Sequence, residues 1–298
     1  MPSAPRPAPV QFELRDWGML AAVALMWGAS FLFIKLGLED FPPATVAWLR
    51  IALGALALGL IPASRAPLRT PSDWRLVSVL GIVWMAVPFV LFALAQQHIP
   101  SALAGMINGA APLFTAAIAA LWWRGGSLDA RLLVGLAVGF VGVVTLGLPN
   151  VEGSASATGI LLILVATALY GLAFNLSGHL QARNGALAVI WRAQLVALVA
   201  VAPFGLPGLA DSTPTLRGWL SLVALGALGT GVAFALFTML VGRVGAPRAS
   251  ITTYLIPVVA LVLGAGLAGE SVAPLSLVGI VLVLLGAYLA SGRRRRRA

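Results

Sequence analysis

The side chains with chemistry to offer sit in the middle of long apolar stretches. Trp27 and Ser30, Trp84 and Met85, Asn108, Tyr170 and Asn175, Thr230, and Thr253 with Tyr254 are aromatic or neutral polar groups, with one sulfur among them. Aromatic faces supply contact area and orient polarity, while amides and hydroxyls donate or accept hydrogen bonds; together they suit an amphipathic organic solute. Plain packing accounts for Trp27 and Tyr170 equally well, and a helix-to-helix hydrogen bond does so for Asn108 and Asn175. Lys35, the single lysine of the chain, lies near the end of the first stretch. It is placed to contact a carboxylate or to gate one side, with interfacial anchoring as the plainer alternative.

Other chemistries are excluded by what surrounds these groups. The chain has no cysteine, and His98 and His179 each stand alone near a helix end, so neither a disulfide nor a metal site is expected. No nucleophile and base converge, which argues against an enzyme, and no cofactor is implied. All nine acidic residues fall in tails, loops or helix ends. Proton-coupled carriers commonly use intramembrane carboxylates, so the sequence predicts no buried carboxylate and facilitated or weakly coupled movement. Arg50 and Arg192 lie about seven residues, roughly 9 Å, into their helices, where snorkelling or helix-end packing is favoured over a role in the pathway.

The elements that must position these groups are membrane helices. Of 298 residues, 60% are hydrophobic and 9% charged, against roughly a quarter charged in soluble domains, so lipid is the main solvent. Apolar stretches of spanning length read as Trp17 to Leu36, Ala44 to Ile61, Trp74 to Gln96, Ser101 to Trp122 and Leu132 to Leu148, then Thr158 to Gly178, Ala186 to Pro203, Gly218 to Val241, Pro247 to Ala268 and Pro274 to Ser291. With the N-terminus inside, the cytosolic segments hold fifteen arginines and the outer loops one, Arg217. That bias predicts an even number of spans and both termini in the cytoplasm. The net charge of +10 owes much to the run Arg293 to Arg297 beside the last stretch, which suits anionic lipid headgroups or a topology anchor better than nucleic acid.

The two halves resemble one another. Leu80-Gly81 matches Leu225-Gly226, Phe89 matches Phe234, Phe92 matches Phe237 and Pro112 matches Pro257 at an offset of 145; Trp27-Gly28 matches Tyr170-Gly171, and Trp48 with Arg50 matches Trp191-Arg192, at about 142. Five spans is an odd number, so the expected fold is an all-α integral membrane domain of ten transmembrane helices arranged as two inverted five-helix repeats, 1–150 and 151–298. Such a pair can expose a midplane site alternately to either side. Pro88, Pro112 and Pro257 fall inside spans, where a missing backbone hydrogen bond permits a hinge.

With its paired five-helix repeats, WGASF at Trp27 to Phe31, WLR at Trp48 to Arg50, and the matched Pro112 and Pro257, the chain resembles the drug/metabolite transporter superfamily, EamA type. Within it the chain is similar to the YddG-like aromatic amino acid exporters. The resemblance implies a multi-pass protein of the bacterial cytoplasmic membrane; ten helices can form a complete transporter alone and no sequence feature demands a partner, so a monomer is expected. It would export small amphipathic solutes, amino acids including aromatic ones, with drugs, nucleosides or other metabolites as the alternative cargo and a non-transporting scaffold as the remote one. The chain departs from the family pattern at Arg124, where the fourth helix would end in an acid like Gly269-Glu270 of the ninth.

Overall fold

The computed structural model describes residues 13–122, 130–151, 156–244, 249 and 252–291, and all its regular structure is helical. Arg124, Asp129, Pro247, Arg248, Glu152 and the run Arg293 to Arg297 lie outside the described residues. The helices are α1 (Leu14–Gly37), α2 (Pro43–Gly59), α3 (Asp73–Ala95), α4 in two halves (Ser101–Asn108 and Ala111–Trp122), α5 (Ala130–Val151), α6 (Ala157–Asn184), α7 (Ala186–Gly205), α8 (Leu216–Val244), α9 (Thr252–Leu267) and α10 (Pro274–Ser291). Six are long and apolar enough to cross a membrane, and α2, α5, α9 and α10 carry shorter apolar stretches. Large apolar side chains such as Phe140, Leu161, Val199 and Phe204 point outward with over half their surface exposed, the pattern of a lipid-facing perimeter.

Three helices are irregular, and the breaks have local causes. In α4 the amides of Gly109 and Ala110 tighten onto carbonyls three residues back. Pro112 has no N–H to offer the Asn108 carbonyl, so the helix parts there and restarts at Ala111. In α3 the segment Gly81–Ala86 widens to π geometry just before Pro88, with the Val87 amide reaching the Ile82 carbonyl. In α8 the segment Ala224–Val232 does the same, and the Thr230 hydroxyl donates to the Leu225 carbonyl at 3.1 Å. The sequence pattern predicted breaks at the prolines; the π segments it did not foresee. Pro257, by contrast, sits inside an unbroken α9.

The packing repeats itself. α1 lies on α9 as α6 lies on the second half of α4; α2 lies on the π segment of α8 as α7 lies on that of α3; α5 and α10 pack on each other. Matching glycines make these contacts close. A Cβ at Gly81 would stand 2.7 Å from the Ala193 carbonyl of α7, and one at Gly226 would stand 2.9 Å from the Arg50 carbonyl of α2. Gly28 and Gly171 likewise seat Val259 and Phe114, themselves matched positions. Such contact between backbones is the packing that membrane helices favour. Indole donors tie α2 to α7 in both directions: Trp48 Nε1 donates to the Leu198 carbonyl (3.2 Å) and Trp191 Nε1 to the Ala55 carbonyl (3.0 Å).

Candidate functional site

α1, α3, α6 and α8 each turn two or three aromatic side chains toward the centre of the bundle, where they form one connected chain of rings. Phe31 meets Phe92 at 5.8 Å, Phe92 meets Tyr170 at 5.4 Å, and Tyr170 meets Phe174 at 6.1 Å. Phe174 meets Trp84 at 5.7 Å, Trp84 meets Phe234 at 5.5 Å, and Trp27 joins Phe234 at 5.6 Å and Phe237 at 5.0 Å. Most pairs are edge-to-face, the arrangement that ring quadrupoles prefer. The rings wall a cavity whose polar lining comes from Ser30, Arg50, Asn108, Tyr170, Gln181, Thr238 and Thr253. Many lining residues are partners under the internal offset: Trp27 and Tyr170, Phe31 and Phe174, Phe89 and Phe234, Phe92 and Phe237, Asn108 and Thr253, Ala111 and Ile256.

Among the described residues Arg50 is the single cationic side chain in this lining. Its Nε donates to the Thr230 hydroxyl at 3.0 Å, and its guanidinium lies 3.8 Å from the Phe89 ring centroid, a cation–π contact. The π segment of α8 makes this possible, because it turns Thr230 toward α2 and frees the Thr230 carbonyl to accept from Gln194 of α7 at 3.3 Å. Arg192, its partner in the second repeat, is spent on structure. It donates to the carbonyls of Ser64 (3.2 Å), Ala188 (3.1 Å) and Arg65 (3.4 Å), with Trp74 and Trp191 to either side.

The two ends of the cavity differ. At one, the lining reaches Gln181 and Ala186, where α6 passes into α7, and Val241 near the end of α8. At the other it stops at Ile34 and Phe92. One residue beyond Ile34, Lys35 Nζ lies 2.7 Å from Glu270 Oε1. The Glu270 carboxylate also accepts from the Ser101 amide (2.9 Å), the Ser101 hydroxyl (2.9 Å) and the Ala102 amide (2.8 Å), capping the first half of α4. Burial works to raise the pKa of this carboxyl, but the Lys35 and Ser101–Ala102 donors outweigh it and hold it below the ordinary range. Asp40, bound by the hydroxyl and amide of Thr215, is also held low, and Arg217 pairs with Glu39 at 3.2 Å across the same end.

The sequence reading and the structure part company at several residues. Trp27, Ser30, Trp84, Asn108, Tyr170 and Thr253 line the cavity as a group. Lys35 does not; it is drawn to Glu270. Met85 is wholly buried behind Trp84, since its place in the π segment turns it into the core. Asn175 is exposed on the outer face of α6 and donates to the Thr115 and Gly171 carbonyls, the helix-to-helix bond that was the alternative. Tyr254 is half-buried against the core outside the cavity, and Thr230 stands one step back, behind Arg50. Pro88, Pro112 and Pro257 lie outside the lining; Pro257 packs against Gly109. The expectation of no buried carboxylate is corrected: the side chains of Asp16, Asp73 and Glu270 are 2%, 4% and 4% exposed, because each is folded under its own cation or helix start. Arg50 and the phenylalanines were missed as site residues, although Phe89/Phe234 and Phe92/Phe237 were visible as a repeat.

A ring-lined cavity inside an apolar helical bundle is the architecture of a membrane transporter. The profile of the EamA-like transporter family matches residues 17–148 and again 157–292, and the chain belongs to that family. It is similar to the protein named "Probable amino-acid metabolite efflux pump" of Escherichia coli K12, 30% identical over 95% of this chain and 98% of that one. It also resembles the "Probable terminal-alkyne amino-acid exporter" of Streptantibioticus cattleyicolor (27%, covering 95% and 96%) and the "Uncharacterized inner membrane transporter YedA" of Escherichia coli K12 (29%, 92% and 92%). One solved crystal structure superposes with a TM-score of 0.66 at 21% identity, covering 94% of this chain and 97% of its own, and shares the fold. The protein is a multi-pass transporter of the bacterial inner membrane.

Proposed function

We propose that this protein is a secondary transporter that exports small amphipathic organic solutes, amino acids including aromatic ones, by alternating access. In this reading ten spans form two inverted five-helix repeats, 1–150 and 151–298, and a single chain is the working unit. The observation that carries it is the cavity, whose walls come from paired positions of the two halves, so either half can take its partner's role. The arginine bias supports a cytoplasmic location for both termini. The cavity end at Gln181 and Ala186 then faces the cytoplasm and the Lys35–Glu270 end faces outward, an inward-facing state. Two relatives, a probable amino-acid metabolite efflux pump and a probable terminal-alkyne amino-acid exporter, support amino-acid cargo. Pro88, Pro112 and Pro257 serve as the hinges in this reading.

Uptake by proteoliposomes of labelled tryptophan, phenylalanine, threonine and a purine nucleoside, with no ion gradient imposed, tests the reading. Amino acid flux without nucleoside flux is expected. Nucleoside flux alone would move the protein to the alternative cargo, and an absence of any flux would count against transport down a solute gradient.

A further inference from the structure

The cavity holds two unmet polar groups of opposite demand. Arg50 is 6% exposed, at mid-bundle, where an isolated charge is costly unless paired. Its Nε and one face of its guanidinium are occupied by Thr230 and Phe89, but among the described residues no carboxylate pairs with it and its terminal nitrogens make no hydrogen bond. Among the described residues no acid lines the cavity. The second group is Asn108, on the last turn before α4 breaks, whose Oδ1 is buried and accepts from nothing. An unpaired cation asks for an anion; an orphaned amide oxygen asks for an N–H or O–H. Gln96, Gln194 and Thr252 also have orphaned atoms, but none of them lines the cavity.

From this pairing, and resting on the reading of the cavity as a solute site, we propose that Arg50 is the specificity residue for a carboxylate. The cargo class is then the monocarboxylic acids with an apolar or aromatic body and a hydrogen-bond donor on the neighbouring carbon. The carboxylate is obligatory, since its two oxygens fit the fork that Arg50 leaves open and it neutralises the one charge among the described lining residues. The α-ammonium of an amino acid is replaceable. With no acid in the lining, an ammonium leaves the occupied site with one uncompensated positive charge, whereas a hydroxyl satisfies Asn108 Oδ1 and leaves none. Aromatic 2-hydroxy acids therefore belong to the same class as aromatic amino acids. The rings take the body of either: Trp27, Phe234 and Phe237 on one side, Phe92, Tyr170 and Phe174 on the other.

Trp27 and Trp84 in the walls make tryptophan fluorescence a direct readout of occupancy. The purified protein is titrated at neutral pH with phenylalanine, 3-phenyllactate, phenylalaninamide and 2-phenylethylamine, and the same four are followed in proteoliposomes. 3-Phenyllactate is expected to bind at least as tightly as phenylalanine, and the two compounds without a carboxylate about ten- to a hundredfold more weakly than phenylalanine. Arg50→Gln should erase that gap and Arg50→Lys restore part of it; should neither variant fold, the wild-type series decides alone. Equal binding of phenylalaninamide and phenylalanine, a gap that survives Arg50→Gln, or no binding by any of the four overturns the proposal. Flux of these solutes with no preference for the carboxylate overturns it while leaving the transporter reading intact. Carboxylate-selective binding without flux does the reverse.

Discussion

Lys35 Nζ and Glu270 Oε1 stand 2.7 Å apart although 235 positions separate them in the chain, and Lys35 follows Ile34, at which the cavity lining stops. The same carboxylate takes two backbone amides and a hydroxyl from the start of α4, so one side chain joins α1, α4 and the loop after α9. Hydrogen bonds to a charged group contribute about 1.5–3 kcal/mol each, and 1.4 kcal/mol is a tenfold change in population. Glu270→Gln keeps the shape and removes the charge, so it should shift the balance toward opening at this end by about tenfold or more. The chain has no cysteine, which makes a single Ile34→Cys probe clean. Labelling of that probe by a membrane-impermeant maleimide should be slow in the parent and faster with Glu270→Gln; equal rates would show that the contact does not hold the end shut.

The pH dependence of this clasp follows from its sign. Glu270 has its pKa lowered in the closed structure from an ordinary 4.5. A depressed carboxyl contributes stability that is fully present above its ordinary value and is lost as pH falls through the depressed one. Ile34→Cys labelling, taken as a ratio to that of a fully exposed reference cysteine so that the thiolate fraction cancels, should therefore be flat between pH 5 and 8 and rise only below about 4.5. A rise near pH 6 to 7 would mean that the carboxyl is held above its ordinary value, as a proton carrier's would be, and would overturn the clasp as described.

The legibility of this protein in its sequence follows the physics of each feature. The helices and their pairing were readable, because lipid demands long apolar runs and duplication leaves matched residues such as Phe89 and Phe234. Trp27 and Tyr170 were readable as centre-facing for the same reason. Arg50 and Arg192 were not distinguishable, since they are equivalent by repeat and differ only in what their neighbours offer: Thr230, turned by a π segment, in one case and the carbonyls of Ser64 and Arg65 in the other. The burial of Glu270 was hidden too. Its partners come from α1 and α4, and no local pattern around Gly269-Glu270 encodes them.

Pro112 and Pro257 occupy matched positions, yet α4 is parted at Asn108 to Ala110 and α9 is continuous. If alternating access exchanges the roles of the repeats, the break should pass from α4 to α9 when the cavity turns outward. The double variant Pro112→Ala, Pro257→Ala restores a backbone donor in both helices and should slow flux several-fold while leaving binding measured by tryptophan fluorescence within about twofold. Parent-like flux would count against the prolines as hinges.

Gly81 and Gly226 test the matched packing. A Cβ at Gly226 would meet Leu53 Cβ at 2.5 Å and the Arg50 carbonyl at 2.9 Å, and one at Gly81 would meet the Ala193 carbonyl at 2.7 Å. Backbone cannot swing aside as a side chain does, so each Gly→Ala change should overpack its interface by about 1–3 kcal/mol. Thermal unfolding in detergent should fall by similar amounts for the two, while Gly18→Ala, which meets nothing within 4 Å, should leave it unchanged.

Arg192 offers the converse of Arg50. Its guanidinium is shared among the carbonyls of Ser64, Arg65 and Ala188, so it fastens the start of α7 to the segment after α2 and leaves nothing for a solute. Arg192→Gln removes a charged donor from two buried acceptors, the Ser64 and Ala188 carbonyls, and one part-buried one, and each buried group left stranded costs about 1–3 kcal/mol. The variant should therefore unfold at clearly lower temperature. The protein that remains folded should discriminate between phenylalanine and phenylalaninamide as the parent does, because the charge facing the cavity is untouched. Loss of that discrimination at unchanged stability would place Arg192 in the pathway and make the two arginines equivalent in function as they are in sequence.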